Sequence, residues 1–152
     1  TVVLTLTAVS IPTAVAIGTP DSATVTIADA PLVTVTATDA TASEIGPDNG
    51  EFTITLSAPL SVPLTVTYTL TGTANNGGDY QLLPVTASFA PGDTAAVVTV
   101  VPVLDATADN GETVVLTLTA VSIPTAVATG TPDPATSTIP DPPLVTVTAT
   151  DA

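Results

Sequence analysis

The dominant pattern along the chain is a period of two. Leu32-Val33-Thr34-Val35-Thr36-Ala37-Thr38 alternates apolar residues with threonine, as do Phe52-Thr53-Ile54-Thr55-Leu56 and Leu64-Thr65-Val66-Thr67-Tyr68-Thr69-Leu70. Val114-Val115-Leu116-Thr117-Leu118-Thr119 follows the same rule. Side chains of a β-strand point to opposite faces in turn, so alternation of this kind, rich in β-branched residues, predicts half-buried strands. Val85–Phe89, Ala95–Val101 and Ala135–Ile139 complete a set of seven, and no segment carries a helical period. Turn chemistry separates them: Gly46-Pro47-Asp48-Asn49-Gly50, Ala74 to Asp79, Pro91-Gly92-Asp93, Asp109-Asn110-Gly111 and Gly130-Thr131-Pro132-Asp133. Seven short strands with turns of this kind predict an all-β, seven-stranded antiparallel sandwich of the immunoglobulin-like type.

The chain also repeats itself. Residues 1–40 return as residues 113–152 at a constant offset of 112, with 35 of 40 positions identical. The five differences are Ile17/Thr129, Ser22/Pro134, Val25/Ser137, Ala28/Pro140 and Ala30/Pro142. Solenoid repeats run to roughly 20–50 residues. A period of 112 residues is instead the size of an independent domain. The sequence therefore reads as a window on a tandem array. Residues 1–30 are expected to be the C-terminal strands of a preceding repeat, 31–142 a complete domain, and 143–152 the first strand of the next. The boundary falls at Asp141-Pro142-Pro143, equivalent to Asp29-Ala30-Pro31, and its prolines favour an extended, stiff connection.

Composition then narrows the function. The chain holds 14 acidic residues and no Lys, Arg or His, for a formal charge of −14. Yet 45% of its residues are apolar, too many for a disordered acidic tail. Without cations it cannot neutralise phosphates, so nucleic acid is excluded as a partner, and an anionic membrane surface repels it. With no His, Cys or Lys, the usual general bases and nucleophiles are missing, and no enzyme is expected. No apolar run approaches the ~18 residues of a membrane span.

The acidic residues are unevenly placed. In a sandwich, alternate loops share one end. The loops after the first, third, fifth and seventh strands contain Glu44, Asp79, Asp105 with Asp109 and Glu112, and Asp141. Carboxylates converging without a basic residue repel one another, and a hard cation with oxygen ligands, Ca²⁺ above all, relieves that repulsion. Acidic residues also start turns and solvate loops, and spacing alone leaves both readings open. Asp21, Asp48, Asp93 and Asp133 sit in isolated turns and fit the second.

Several stretches resemble the Calx-β domain: Ala42-Ser43-Glu44-Ile45-Gly46, Gly72-Thr73-Ala74 with Gly77-Gly78-Asp79-Tyr80, Asp105 to Glu112-Thr113, and Thr138-Ile139-Pro140-Asp141. The resemblance covers about Leu32–Asp141, with one extra residue in the Gly-Thr-Ala to Asp-Tyr stretch. That family has the sandwich fold, occurs in sodium–calcium exchangers and integrin β4, and recurs in tandem in large bacterial surface proteins. The resemblance implies metal ligation by Glu44, Asp79, Asp105, Asp109, Glu112 and Asp141, with Asp29 serving the preceding repeat. Acidic pairs common in the family are here reduced to single residues, at Asp105 and Asp141, which implies one or two Ca²⁺ ions per repeat.

The leading expectation is a structural repeat of an extracellular fibre or adhesin stalk at the cell surface, rigidified by Ca²⁺ at its junctions. Its partners would be neighbouring copies of the same repeat, in one chain or in a filament. One alternative is a filament of separate subunits joined by strand complementation. Another is a carbohydrate- or protein-binding surface module, disfavoured because Phe52, Tyr68 and Phe89 sit in strand patterns as core residues and Tyr80 reads as a loop anchor. The dense threonine rows are read as solvent-facing strand residues, with O-glycosylation as the alternative.

Overall fold

The computed structural model describes residues 1–10, 13–46, 48–104 and 111–140. Asp105, Asp109, Asp141 and the expected strand at 143–152 lie outside them. The chain divides into two compact units, Thr1–Ala30 and Pro31–Ala152.

The larger unit is a two-sheet sandwich. Its strands are β3 (Leu32–Asp39), β4 (Gly50–Leu56), β5 (Leu64–Gly72), β6 (Thr86–Phe89), β7 (Ala95–Val100), β8 (Glu112–Val121), β9 (Ala128–Thr129) and β10 (Ala135–Ile139). One sheet runs β10-β8-β5-β6 and the other β7-β4-β3-β9. The seven expected strands are all present, displaced at their ends by a residue or two. All pair antiparallel, except that the two-residue β9 runs parallel to β3. No helix occurs among the described residues.

The alternation seen in the sequence is the alternation of burial. In β4, Phe52, Ile54 and Leu56 point inward while Thr53 and Thr55 between them do not. In β5 the inward row is Leu64, Val66 and Tyr68, and in β8 it is Val114, Leu116 and Leu118. Val33 and Val35 of β3 meet Ala135 and Ile139 of β10 in the same core. Phe52, Tyr68, Phe89 and Tyr80 are all buried, as their placement in the sequence predicts.

The eighth strand was not legible as a strand. After β8 the chain turns at Ile123, whose carbonyl accepts from the amides of Ala126 and Val127. It then crosses to the second sheet. The Ala128 amide donates to the Pro31 carbonyl at 3.0 Å and the Gly130 amide to the Val33 carbonyl at 2.7 Å. Two residues are too few to show a period, so only this pairing reveals β9.

The smaller unit is a hairpin of β1 (Val2–Thr5) and β2 (Ser22–Val25). Its register is Val2↔Val25, Val3↔Thr24 and Leu4↔Ala23. In the sandwich, β8 and β10 pair as Val114↔Ser137, Val115↔Thr136 and Leu116↔Ala135. Each hairpin pair is the sandwich pair shifted by 112, so the repeated sequence builds the same strand pair twice.

Candidate functional site

One end of the sandwich carries Glu44, Asp79 and Glu112. Backbone bonds draw the relevant loops together there, and each begins with a sequence feature. Gly72 ends β5 at a φ of 118°, and a side chain on it would overlap the Thr113 carbonyl. Glycine therefore lets β5 and β8 close on each other at this point. The Thr113 carbonyl accepts from the amides of Thr73 (3.0 Å) and Ala74 (3.1 Å), while the Thr113 amide donates to Thr73 Oγ1 at 2.9 Å. Glu112 is thereby fixed beside the Thr73–Ala74 turn.

The next residue of that turn holds Asp79. The Asn75 amide donates to Asp79 Oδ2 at 2.6 Å, and the Asp79 amide returns to the Asn75 carbonyl at 3.1 Å. Asp79 is 9% exposed, and its carbonyl takes the Val103 amide at 2.9 Å, just before the 105–110 segment. Tyr80, 1% exposed, anchors the loop in the core. Its phenol pKa is raised, first by burial and then by the charge on Asp79.

On the other side, Ile139 pairs with Glu112 across β10 and β8. The Ala42 amide donates to the Thr138 carbonyl at 2.9 Å, which brings the first loop to the same end. Ser43 closes that loop through its amide to the Asp48 carbonyl, and Glu44 sits inside it half-buried, its Oε2 shut off from solvent.

Three of the predicted ligands, Glu44, Asp79 and Glu112, thus lie at one end. Asp105, Asp109 and Asp141 lie outside the described residues. Asp29 is exposed in the smaller unit. Among the described residues, no three acidic groups come close enough together to hold one ion. The turn acids behave differently. Asp93 Oδ2 accepts from the Ala90 amide at 2.8 Å, and Asp133 Oδ1 from the Leu118 amide at 2.9 Å.

Glu112 occupies the inward phase of β8, in line with Val114, Leu116 and Leu118, and is only 8% exposed. A buried carboxylate is costly unless its charge is met. The chain has no Lys, Arg or His to meet it. The same end contains a residue that the sequence reading passed over. Ser137 is fully buried on β10, and its hydroxyl has no hydrogen-bond partner among the described residues. The Val25/Ser137 difference between the two copies was the available signal.

Comparisons with known proteins converge on one family. The Calx-beta domain model matches residues 32–143. Among solved structures, CBD12 from CALX1.2 superposes with a TM-score of 0.57 at 22% identity, covering 71% of this chain and 44% of that one. The apo form of the Calx CBD1 domain superposes with a TM-score of 0.54 at 20% identity, covering 74% of this chain and 99% of that domain. At such identities the superpositions speak for the fold. No curated protein matches the chain.

Proposed function

Because the chain belongs to the Calx-beta domain family, we propose that it is a structural, non-catalytic repeat that binds Ca²⁺ at the acidic end of its sandwich. The observation that carries this reading is the burial of Asp79 and Glu112, at 9% and 8% exposure, in a chain without one basic side chain. Two carboxylates withdrawn from water at the same end, with no basic side chain in the chain to pair with them, favour a bound cation as a source of positive charge beside the backbone amides. The donors are hard oxygens, which suit Ca²⁺. Glu44, Asp79 and Glu112 do not by themselves close on one ion, so each would contribute to a site that Asp105, Asp109 and Asp141 from the adjoining loops complete. Asp79 would arrive already oriented by the Asn75 amide.

The near-identical repeat gives the module its larger role. A sequence copied at 35 of 40 positions suits a spacer whose task is length, as in an extracellular fibre or adhesin stalk. Asp141 stands where one repeat gives way to the next, so a cation there would stiffen the junction.

The test is thermal unfolding of metal-stripped chain with and without Ca²⁺. A ligand at ~100 times its Kd stabilises the native state by about 2.7 kcal/mol, so Ca²⁺ should raise Tm by several degrees. Glu112→Gln, which keeps the shape and removes the charge, should abolish most of that rise. A Tm indifferent to both Ca²⁺ and chelator would remove the metal from the mechanism.

A further inference from the structure

We propose that the outer edge of β7 binds an extended peptide with an uncharged centre and basic ends. The two four-stranded sheets end in β10, β6, β7 and β9, and three of these edges are blunted. β9 is two residues long and β6 four. β10 is covered on its outer side, where the Thr138 amide donates to the Ala40 carbonyl and the Ala42 amide to the Thr138 carbonyl, both at 2.9 Å. β7 is six residues long and contains neither a charged residue nor a proline. Its pairing with β4 runs without a bulge from Ala95↔Thr55 to Val100↔Gly50. Short length, charge, proline, bulges and covering segments are the means by which an edge is kept from taking up another strand, and β7 carries none of them over 95–99.

The direction of its backbone groups follows from the bonds already made. The Leu56 amide donates to the Thr94 carbonyl at 2.8 Å, so by the alternation of an antiparallel ladder Ala96, Val98 and Val100 also turn their amides and carbonyls to β4. Ala95, Val97, Thr99 and Val101 turn theirs outward. The Val101 carbonyl accepts from the Gln81 amide at 2.9 Å, and Tyr80 pairs antiparallel with Pro102. The 79–81 segment is thus a short strand added to one end of this edge, and Ala95, Val97 and Thr99, all exposed, continue its line. Outward donors and acceptors at every second residue match the backbone of an extended peptide.

Side chains of such a strand have room as well. A groove of about 430 Å³ opens between β6 and β7, with Leu83, Pro84, Thr86, Ser88, Ala96 and Val98 in its lining. Tyr68 also lines it, and the Tyr68 hydroxyl is buried without a partner among the described residues. Charge selects the occupant. Residues 82–92 and 94–104 contain no charged side chain, whereas Asp93 stands just before β7 and Glu51 lies opposite Thr99 at its other end. A chain of net charge −14 without one basic residue repels a second copy of itself and attracts a cationic partner. The peptide that fits therefore lays uncharged, strand-forming residues along 95–99 and places Lys or Arg beyond each end. The contact is independent of Ca²⁺ binding.

The probe is an end-blocked peptide, Lys-Thr-Val-Asn-Val-Thr-Lys, whose central Asn can meet the Tyr68 hydroxyl. It is titrated into the whole 152-residue chain in chelator. Calorimetry should show binding about tenfold or more tighter than that of Glu-Thr-Val-Asn-Val-Thr-Glu. Lys-Thr-Pro-Asn-Pro-Thr-Lys keeps the charge but lacks two backbone donors, and should not bind. On binding, the Ala95, Val97 and Thr99 amides should gain protection from hydrogen exchange, while those of Ala96 and Val98, already turned to β4, should not change. Val97→Pro removes an outward amide and no bond to β4, so it should abolish binding in a chain that still folds. Absence of binding, equal binding of the proline peptide, or protection confined to other amides overturns the proposal. So does protection of the same three amides without peptide as the chain is concentrated, which would make a second copy the occupant.

Discussion

The contact between Gly50 and Ser137 gives the sharpest test of the sandwich's packing. Gly50 opens β4 in the inward phase, and a Cβ built on it would lie 2.7 Å from Ser137 Oγ and 3.4 Å from the Ala42 methyl. Its φ is not positive, so alanine there meets a steric obstacle and no backbone strain. Ser137→Ala removes the obstacle and also a buried hydroxyl without a partner. Such a group costs about 1–3 kcal/mol. The void left by one oxygen, roughly 10 Å³, returns only about 0.2 kcal/mol at ~24 cal/mol per Å³. Alanine's weaker strand preference takes back a few tenths more. Ser137→Ala should therefore stabilise the domain by about 1 kcal/mol, or roughly 4 °C in Tm. Gly50→Ala alone should destabilise it by about 1–3 kcal/mol, as overpacking does. The double variant should recover most of that loss, a coupling of about 1 kcal/mol or more in a double-mutant cycle read by urea unfolding. Additivity within about 0.5 kcal/mol, or a destabilising Ser137→Ala, would refute the reasoning.

Gly72→Ala should be among the most damaging single changes. A side chain at φ 118° collides with the Thr113 carbonyl, and denaturant unfolding should show a loss of about 3 kcal/mol or more, above the ~1–2 kcal/mol of left-handed strain alone. Asp133→Ala strands the part-buried Leu118 amide that its carboxylate serves at 2.9 Å and should cost about 1–2 kcal/mol by the same assay. Burial raises the pKa of Tyr68, and burial with Asp79 raises that of Tyr80, above the ordinary 10.0. The folded state thus holds these protons more tightly than the unfolded one. The part of the stability these two phenols contribute should be constant below pH ~10 and fall as pH rises through the folded-state values, and Tyr80→Phe should flatten part of that alkaline fall.

The strands were legible because a two-layer sandwich imposes one rule on every one of them. Inward positions must be apolar and outward ones can be threonine, so the period of two in Phe52 to Leu56 or Leu64 to Leu70 is the core written along the chain. The same rule placed the acids, since alternate loops must share an end, and Glu44, Asp79 and Glu112 do. It was silent where structure depends on a partner instead of a pattern. β9 exists only because the Pro31 and Val33 carbonyls accept its flanking amides. Asp79 gave no sign in its spacing that the Asn75 amide would hold one of its oxygens. Ser137 reads as one more polar strand residue, although its phase between Ala135 and Ile139 already turned it inward.

The two copies of the strand pair separate what is local in this fold from what is not. β1–β2 and β8–β10 share a register, and both tie the later strand's approach to the earlier one through the same aspartate position. In the hairpin the Leu6 amide donates to the Asp21 backbone carbonyl at 2.8 Å, whereas in the sandwich the Leu118 amide donates to the Asp133 carboxylate at 2.9 Å. Register is thus set by the pair itself. Burial is set from outside, by the sheet containing β3 and β4. A two-stranded hairpin is marginal in water without such cover, and its apolar face is the larger part of what the cover would protect.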